Sequence, residues 1–162
     1  MRNALFVAVA IAAACAPAAE QQAAAPAALD STAARAAVEA VSQQYSDRVV
    51  ASDAAGVSAL FTEDATAAYF GYPTTTGRAN IQALYAASFG VAKPTAVQIT
   101  VGTAGEISPG LVTAGGTSQQ TVDSSGVSIT TYWRWAAAYH PRADGQWRFA
   151  YIMAFPDSMS RK

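Results

Sequence analysis

Few side chains in this sequence can do acid–base or nucleophilic chemistry, and phenols are the most numerous candidates. A single cysteine and a single histidine exclude an intrachain disulfide and leave too little for a Cys/His metal cluster. No metal ion and no cofactor is therefore expected. The histidine, His140, falls at a strand end beside Pro141, where an imidazole is usually a surface group rather than an acid–base catalyst. Asp53 stands where a short helix needs its cap, Asp64 in a turn, and Asp47 on the solvated face of the first helix. No Gly-x-Ser-x-Gly elbow or Cys/His pair appears after the leader, which argues against nucleophilic acyl transfer. Gly115-Gly116 lacks the Gly-Lys-Ser/Thr that a phosphate loop requires.

What remains is aromatic, with seven tyrosines and three tryptophans. Tyr45 lies on the apolar stripe of one helix, Tyr85 on that of another, and Tyr69 in an extended segment. Trp133, Trp135, Tyr139, Tyr151 and Met153 fall on strand faces that alternation makes mutually consistent. Buried Tyr and Trp need hydrogen-bond partners for their polar tips. Converging on one cavity, these eight residues would suit a planar ligand with one or two oxygens; otherwise they are core. The net charge of −1 and scattered basic residues, with no run longer than Arg161–Lys162, give nucleic acid no footing.

The elements that must position these residues are legible from periodicity. Asp30 or Ser31 can cap a first helix in which Val38, Val41, Tyr45 and Val49 recur at three- and four-residue steps. Asp53 restarts the chain as the cap of a short helix carrying Val57, Leu60 and Phe61, which Glu63-Asp64 breaks. Residues 65–70 read as extended and 71–77 as a loop. A third helix places Ile81, Leu84, Tyr85 and Ser88 on one face. After Pro94 the period becomes two, with Val97, Ile99 and Val101 marking a half-buried strand. Turn signals at Ser108-Pro109-Gly110, Asp123 to Gly126 and Asp144-Gly145 delimit three more strands, near 111–121, 127–140 and 146–155. Gly115-Gly116 inside the second suggests a bulge. Helices first and antiparallel strands after make the class α+β, with helices on one face of the sheet.

The beginning of the chain reads as an address. Arg2 precedes an apolar run from Ala4 to Ala14, too short to span a bilayer but the length of a signal h-region. It ends in Ala12-Ala13-Ala14-Cys15, which resembles a bacterial lipobox with Ala12 in place of the usual Leu. Ordinary cleavage at Ala16-Pro17-Ala18 is the alternative. Residues 1–15 are thus a signal peptide, 16–30 an Ala/Pro/Gln tether, 31–157 the folded domain and 158–162 a tail. The expected destination is the periplasm, as an outer-membrane lipoprotein whose only membrane contact is lipid on Cys15.

The stretch from Tyr45 to Thr66, with its helical aromatic, its capping Asp53 and Leu60-Phe61-Thr62-Glu63-Asp64-Ala65, resembles the opening of nuclear transport factor 2-like (SnoaL-like) domains. The likeness continues through Gly77-Arg78 with Ile81 and Tyr85, then Tyr139-His140, Asp144-Gly145 and Trp147-Arg148-Phe149, and covers about residues 33–156. It implies a cone: a strongly curved antiparallel sheet wrapped round a pocket that three N-terminal helices close.

That superfamily includes ketosteroid isomerases, polyketide cyclases, scytalone dehydratases and limonene epoxide hydrolases, so site residues must decide function. The isomerase oxyanion tyrosine falls on Tyr45. The isomerase general-base Asp falls on Tyr69, a phenol with an ordinary pKa of about 10. The second oxyanion donor, a protonated Asp, falls around Trp135–Ala136, where no carboxyl group exists. One role of three survives, which argues against isomerase chemistry. The hydrolases need paired carboxylates with an Arg, and the dehydratases lean on histidines; neither set is here.

Three readings stay open: a domain binding a small apolar or aromatic molecule in the cone, an isomerase-, cyclase- or lyase-type enzyme using tyrosine hydroxyls and water, or an interaction module without ligand. A homodimer through the sheet is also expected. The last strand is apolar on both faces, with Trp147, Phe149, Tyr151, Met153 and Phe155 pointing one way and Ala150, Ile152 and Ala154 the other, and helices can cover only one.

Overall fold

The structure, a computed structural model, describes residues 28–161. Cys15, the apolar run before it and most of the tether lie outside the described residues.

The first helix, α1, spans Ser31–Val50, and its cap is Asp30, whose carboxylate accepts from the Ala33 N–H at 2.7 Å. Ala34, Val38, Val41 and Val49 form its buried stripe. Asp53 caps α2, Ala54–Ala59, by accepting from the Gly56 N–H at 2.8 Å. β1 then runs Phe61–Tyr69, four residues earlier than periodicity places it. Glu63 and Asp64 do not end the helix; they sit exposed inside this strand. Arg78 pairs with Glu63 and donates to the Phe61 carbonyl, which ties the start of the next helix to β1. The loop after β1 contains a two-residue strand, β2, Thr75–Thr76, and leads to α3, Arg78–Val91, which buries Ile81 and Tyr85.

Four long strands follow: β3 Lys93–Ser108, β4 Leu111–Ser124, β5 Val127–Pro141 and β6 Trp147–Arg161. The sheet order is β2-β1-β6-β5-β4-β3. All neighbours are antiparallel except β1 and β6, so the sheet is mixed rather than wholly antiparallel. The chain leaves β1 through β2 and α3, runs β3, β4 and β5, and returns in β6 beside β1 in the same direction, a pairing that no local pattern announces. β6 also continues past Asp157: Ser158, Met159, Ser160 and Arg161 pair with Tyr132, Thr131, Thr130 and Ile129, so the residues read as a tail are strand.

Bulges curve this sheet. Gly115 and Gly116 pair regularly with Ala136 and Trp135; the bulge expected there lies opposite them in β3, where Gly102 is the extra residue between Val101↔Gly116 and Thr103↔Gly115. A second bulge makes Ala150 the extra residue of β6, since Tyr139 faces Phe149 while Ala138 faces Tyr151. The inward-facing set of β6 therefore changes parity, from Phe149 to Ile152 and Ala154. The core sits where α1, α3 and the concave face meet, with Val38, Phe61, Ile81, Val112 and Tyr139 fully buried. The aliphatic and phenylalanine side chains among these contribute roughly 1.5–3 kcal/mol each through area removed from water. Among the described residues no helix is long and apolar enough to cross a membrane.

Candidate functional site

A cavity of about 270 Å³ lies between the helices and the concave face of the sheet. Three elements each deliver one phenol to it: α1 gives Tyr45, the end of β1 gives Tyr69, and α3 gives Tyr85. Their hydroxyls form a chain, with Tyr45 Oη 2.8 Å and Tyr69 Oη 2.6 Å from the central Tyr85 Oη. The rings meet edge to face, Tyr45–Tyr85 and Tyr69–Tyr85 both with centroids 6.2 Å apart, the favourable arrangement for aromatic quadrupoles. Three hydroxyls joined by two hydrogen bonds leave one proton uncommitted, so the chain can donate to one further acceptor.

Burial holds these phenols protonated. The Tyr45 pKa is raised by desolvation, and those of Tyr69 and Tyr85 stand well above the ordinary value, again through burial and then the neighbouring phenols. Tyr139, stacked 4.8 Å from Phe149, is likewise pushed up by burial. Ser42 stands beside the Tyr139 hydroxyl and offsets part of that effect, yet the two do not close a hydrogen bond, and both oxygens are buried without a partner. Trp135 donates its indole N–H to the Thr117 carbonyl at 3.1 Å, whereas the Trp133 indole nitrogen is buried and unpartnered.

Of the residues singled out from sequence, Tyr45, Tyr69, Tyr85, Trp133, Trp135 and Tyr139 line this cavity. Tyr151 and Met153 do not: they pair with Ala138 and Ala136 on the convex face. The reason is the Ala150 bulge, which reverses the parity that strict alternation assumes, and it puts Phe149, Ile152 and Ala154 in the wall instead. Sequence reasoning also left out Tyr72 and Phe89. Phe89 follows Tyr85 by one helical turn, so its spacing could have marked it; nothing local marks Tyr72.

No lining residue among the described residues is charged. Asp47, Asp64 and His140 are exposed and outside the wall, His140 Nδ1 lying 2.8 Å from the Gly110 carbonyl. No cluster of three or more metal-ligating side chains occurs among the described residues. Tyr69, where the resemblance would put the isomerase base, is a protonated phenol, and Trp135, near where it would put the second donor, is an indole turned to the backbone. The site can donate hydrogen bonds and offer flat apolar surface; among the described residues, none that lines it is a base able to take a proton near neutral pH.

No protein-family model and no curated protein matches the chain. Solved structures do. A ketosteroid isomerase-like protein from Erwinia carotovora atroseptica SCRI1043 superposes with TM-score 0.69 at 18% identity, covering 76% of this chain and 95% of that one. An NTF2-like protein with a cystatin-like fold from Novosphingobium aromaticivorans gives 0.59 at 22%, covering 75% and 80%. Hexachlorocyclohexane dehydrochlorinase LinA-type3 from Novosphingobium barchaimii LL02 gives 0.63 at 16%, covering 81% and 91%. At such identities the likeness concerns the fold, and the fold is the nuclear transport factor 2-like cone of the ketosteroid isomerase type.

Proposed function

We propose that this chain, a nuclear transport factor 2-like cone, binds a neutral, flat small molecule whose acceptor oxygen is held by the Tyr45–Tyr85–Tyr69 chain. The observation that supports this reading is the convergence of three buried hydroxyls on a cavity with no charged lining residue among those described. An apolar pocket with a few convergent polar groups is the usual form of a ligand site. Its volume of about 270 Å³ suits a ligand of one or two rings, below drug size. Fluorescence and thermal-shift screening with phenolic, steroid, terpenoid and polyketide-like compounds tests it. Tyr85→Phe should weaken the best binder about tenfold, because it breaks both hydrogen bonds of the chain and leaves the Tyr45 and Tyr69 hydroxyls no longer held toward one acceptor. Tyr45→Phe or Tyr69→Phe should weaken it less, because each leaves a two-hydroxyl chain with a free proton. Indifference to all three substitutions would remove the site, and turnover of any compound would favour the enzyme reading.

We place the domain outside the cytoplasm, tethered by lipid on Cys15. The support is the apolar run of residues 4–14 ending at the sole cysteine. Cys15→Ser should move the protein from the membrane to the soluble periplasmic fraction. A wild-type protein already soluble there, with an N-terminus near Ala19, would contradict the anchor.

A homodimer through the convex face completes the proposal. There Tyr132, Ala136, Tyr151, Met153 and Phe155 stand around the exposed Arg134–Asp157 ion pair, with Tyr132 42% and Phe155 51% exposed, and exposed apolar side chains grouped on one face mark an interface. Phe155→Lys should shift sedimentation from dimer to monomer at tens of micromolar. A wild type that is strictly monomeric at that concentration would end the argument.

A further inference from the structure

The cavity has a polar stretch of wall that the tyrosine chain does not use. The register sets Gln120 of β4 against Thr131 of β5, and Ser118 against Trp133, and all four line the cavity. The tyrosine hydroxyls come instead from α1, β1 and α3. The cross-strand row through Tyr69 runs Ala154, Trp135 and Gly116. Thr131 and Gln120 each lie four residues beyond that row on their strands, about 13 Å further along the sheet. Tyr45 extends the chain the other way, packing on Phe149 with ring centroids 6.0 Å apart. One ligand oxygen therefore cannot serve both groups.

On the opposite face of the same strands, the Thr121 and Thr130 hydroxyls stand 2.9 Å apart and satisfy each other. The concave pair beside them does not. Gln120, Thr131 and Ser118 make no side-chain hydrogen bond with any described residue, although Thr131 is only 8% exposed. Buried polar groups without partners are unfavourable, and those lining a cavity can be paired by what enters it. We propose that Gln120 and Thr131 form a second polar end of the site, which takes a hydroxyl of the same ligand whose acceptor oxygen rests on the tyrosine chain. The two ends differ in chemistry. The tyrosine chain has one proton to give and so takes an acceptor, whereas an amide and an alcohol both donate and accept, as a hydroxyl does. The far group is neutral because no lining residue among those described is charged, and an ionic group would be buried unpaired.

This assignment rests on the reading of the cone as a ligand site, and one probe series separates the two. Titration calorimetry on the full chain, in mildly acidic buffer that keeps the probes neutral, compares coumarin with 6-hydroxycoumarin and 7-hydroxycoumarin. Coumarin offers an acceptor oxygen and no hydroxyl. The better hydroxylated probe should bind about tenfold more tightly, the worth of one or two added hydrogen bonds. In Gln120→Leu/Thr131→Val that advantage should fall to about twofold or less, whereas Tyr85→Phe should weaken all three probes alike and leave the advantage intact. The double variant should also unfold at the same temperature as the wild type or a higher one, because apolar groups of similar shape replace polar groups that the fold leaves unpaired. An advantage missing from the wild type, or one that survives the double substitution, would overturn the second end and leave the cone reading standing. A clear fall in Tm of the double variant would overturn it too, by showing that these side chains serve the fold. Failure of the wild type to bind any of the three probes would count against both.

Discussion

Raising the pH above about 10 should unfold this domain cooperatively, with a slope steeper than one ionising group can produce. Tyr45, Tyr69, Tyr85 and Tyr139 all have raised pKa values, chiefly because burial disfavours the phenolate. In the unfolded chain the same phenols ionise at about pH 10. Below that pH both states hold these protons and the full stability is present. Above it the unfolded state loses protons that the fold retains, so stability falls as pH rises, until the folded-state pKa values are passed. Each retained proton costs about 1.4 kcal/mol per pH unit, and the three most strongly shifted phenols, Tyr69, Tyr85 and Tyr139, together cost about 4 kcal/mol per unit. Against a total stability near the low end of about 5–15 kcal/mol, one to two pH units suffice. Tyrosinate absorbance and circular dichroism, followed together, should show part of the phenolate signal appearing only with the loss of structure. Tyr85→Phe should flatten the slope by one proton. Complete ionisation of the tyrosines while the fold persists would overturn this account.

Gly116→Ala should destabilise the domain by about 3 kcal/mol, a fall in Tm of roughly 10 °C for a domain of this size. A Cβ there would overlap the Thr100 carbonyl oxygen and stand 2.9 Å from the Gly102 nitrogen. Both are backbone atoms of the β3 bulge and cannot swing aside as a side chain does. The glycine is thus required by close approach, not by an unusual φ. Relief would mean straightening β3, and with it the curvature that sets Val97 and Ile99 against the cavity. Gly105→Ala is the control: its Cβ would meet nothing within 4 Å, so thermal unfolding should change by about 0.5 kcal/mol or less. Equal stability of the two variants would remove the crowding argument.

Both predictions rest on contacts between elements far apart in the chain, and this is where legibility from sequence ended. The caps Asp30 and Asp53, the helices and the β-hairpin turns were readable because each is decided within a few residues, by hydrogen bonds of a side chain to its own backbone or by turn chemistry. The lining tyrosines of α1 and α3 were readable for the same reason, since a helical stripe depends only on spacing. Gly115-Gly116 did announce irregular strand geometry, but the extra residue was Gly102 of the neighbouring strand, because a glycine pair permits close approach without saying from which side.

By itself, then, the sequence determined element types, their order, an uncharged aromatic repertoire and a chain that resembles a cone fold. These follow from short-range periodicity and composition. Tertiary structure alone decided that β1 runs parallel to β6, that β6 extends to Arg161, and that Ala150 turns Tyr151 and Met153 away while bringing Phe149, Ile152 and Ala154 in. It alone joined Tyr45, Tyr85 and Tyr69 through their hydroxyls. The physical reason is common to all of these. Strand parity and hydroxyl contacts depend on the register between segments separated by tens of residues, and register is set by packing the whole sheet, one inserted residue being enough to exchange its two faces.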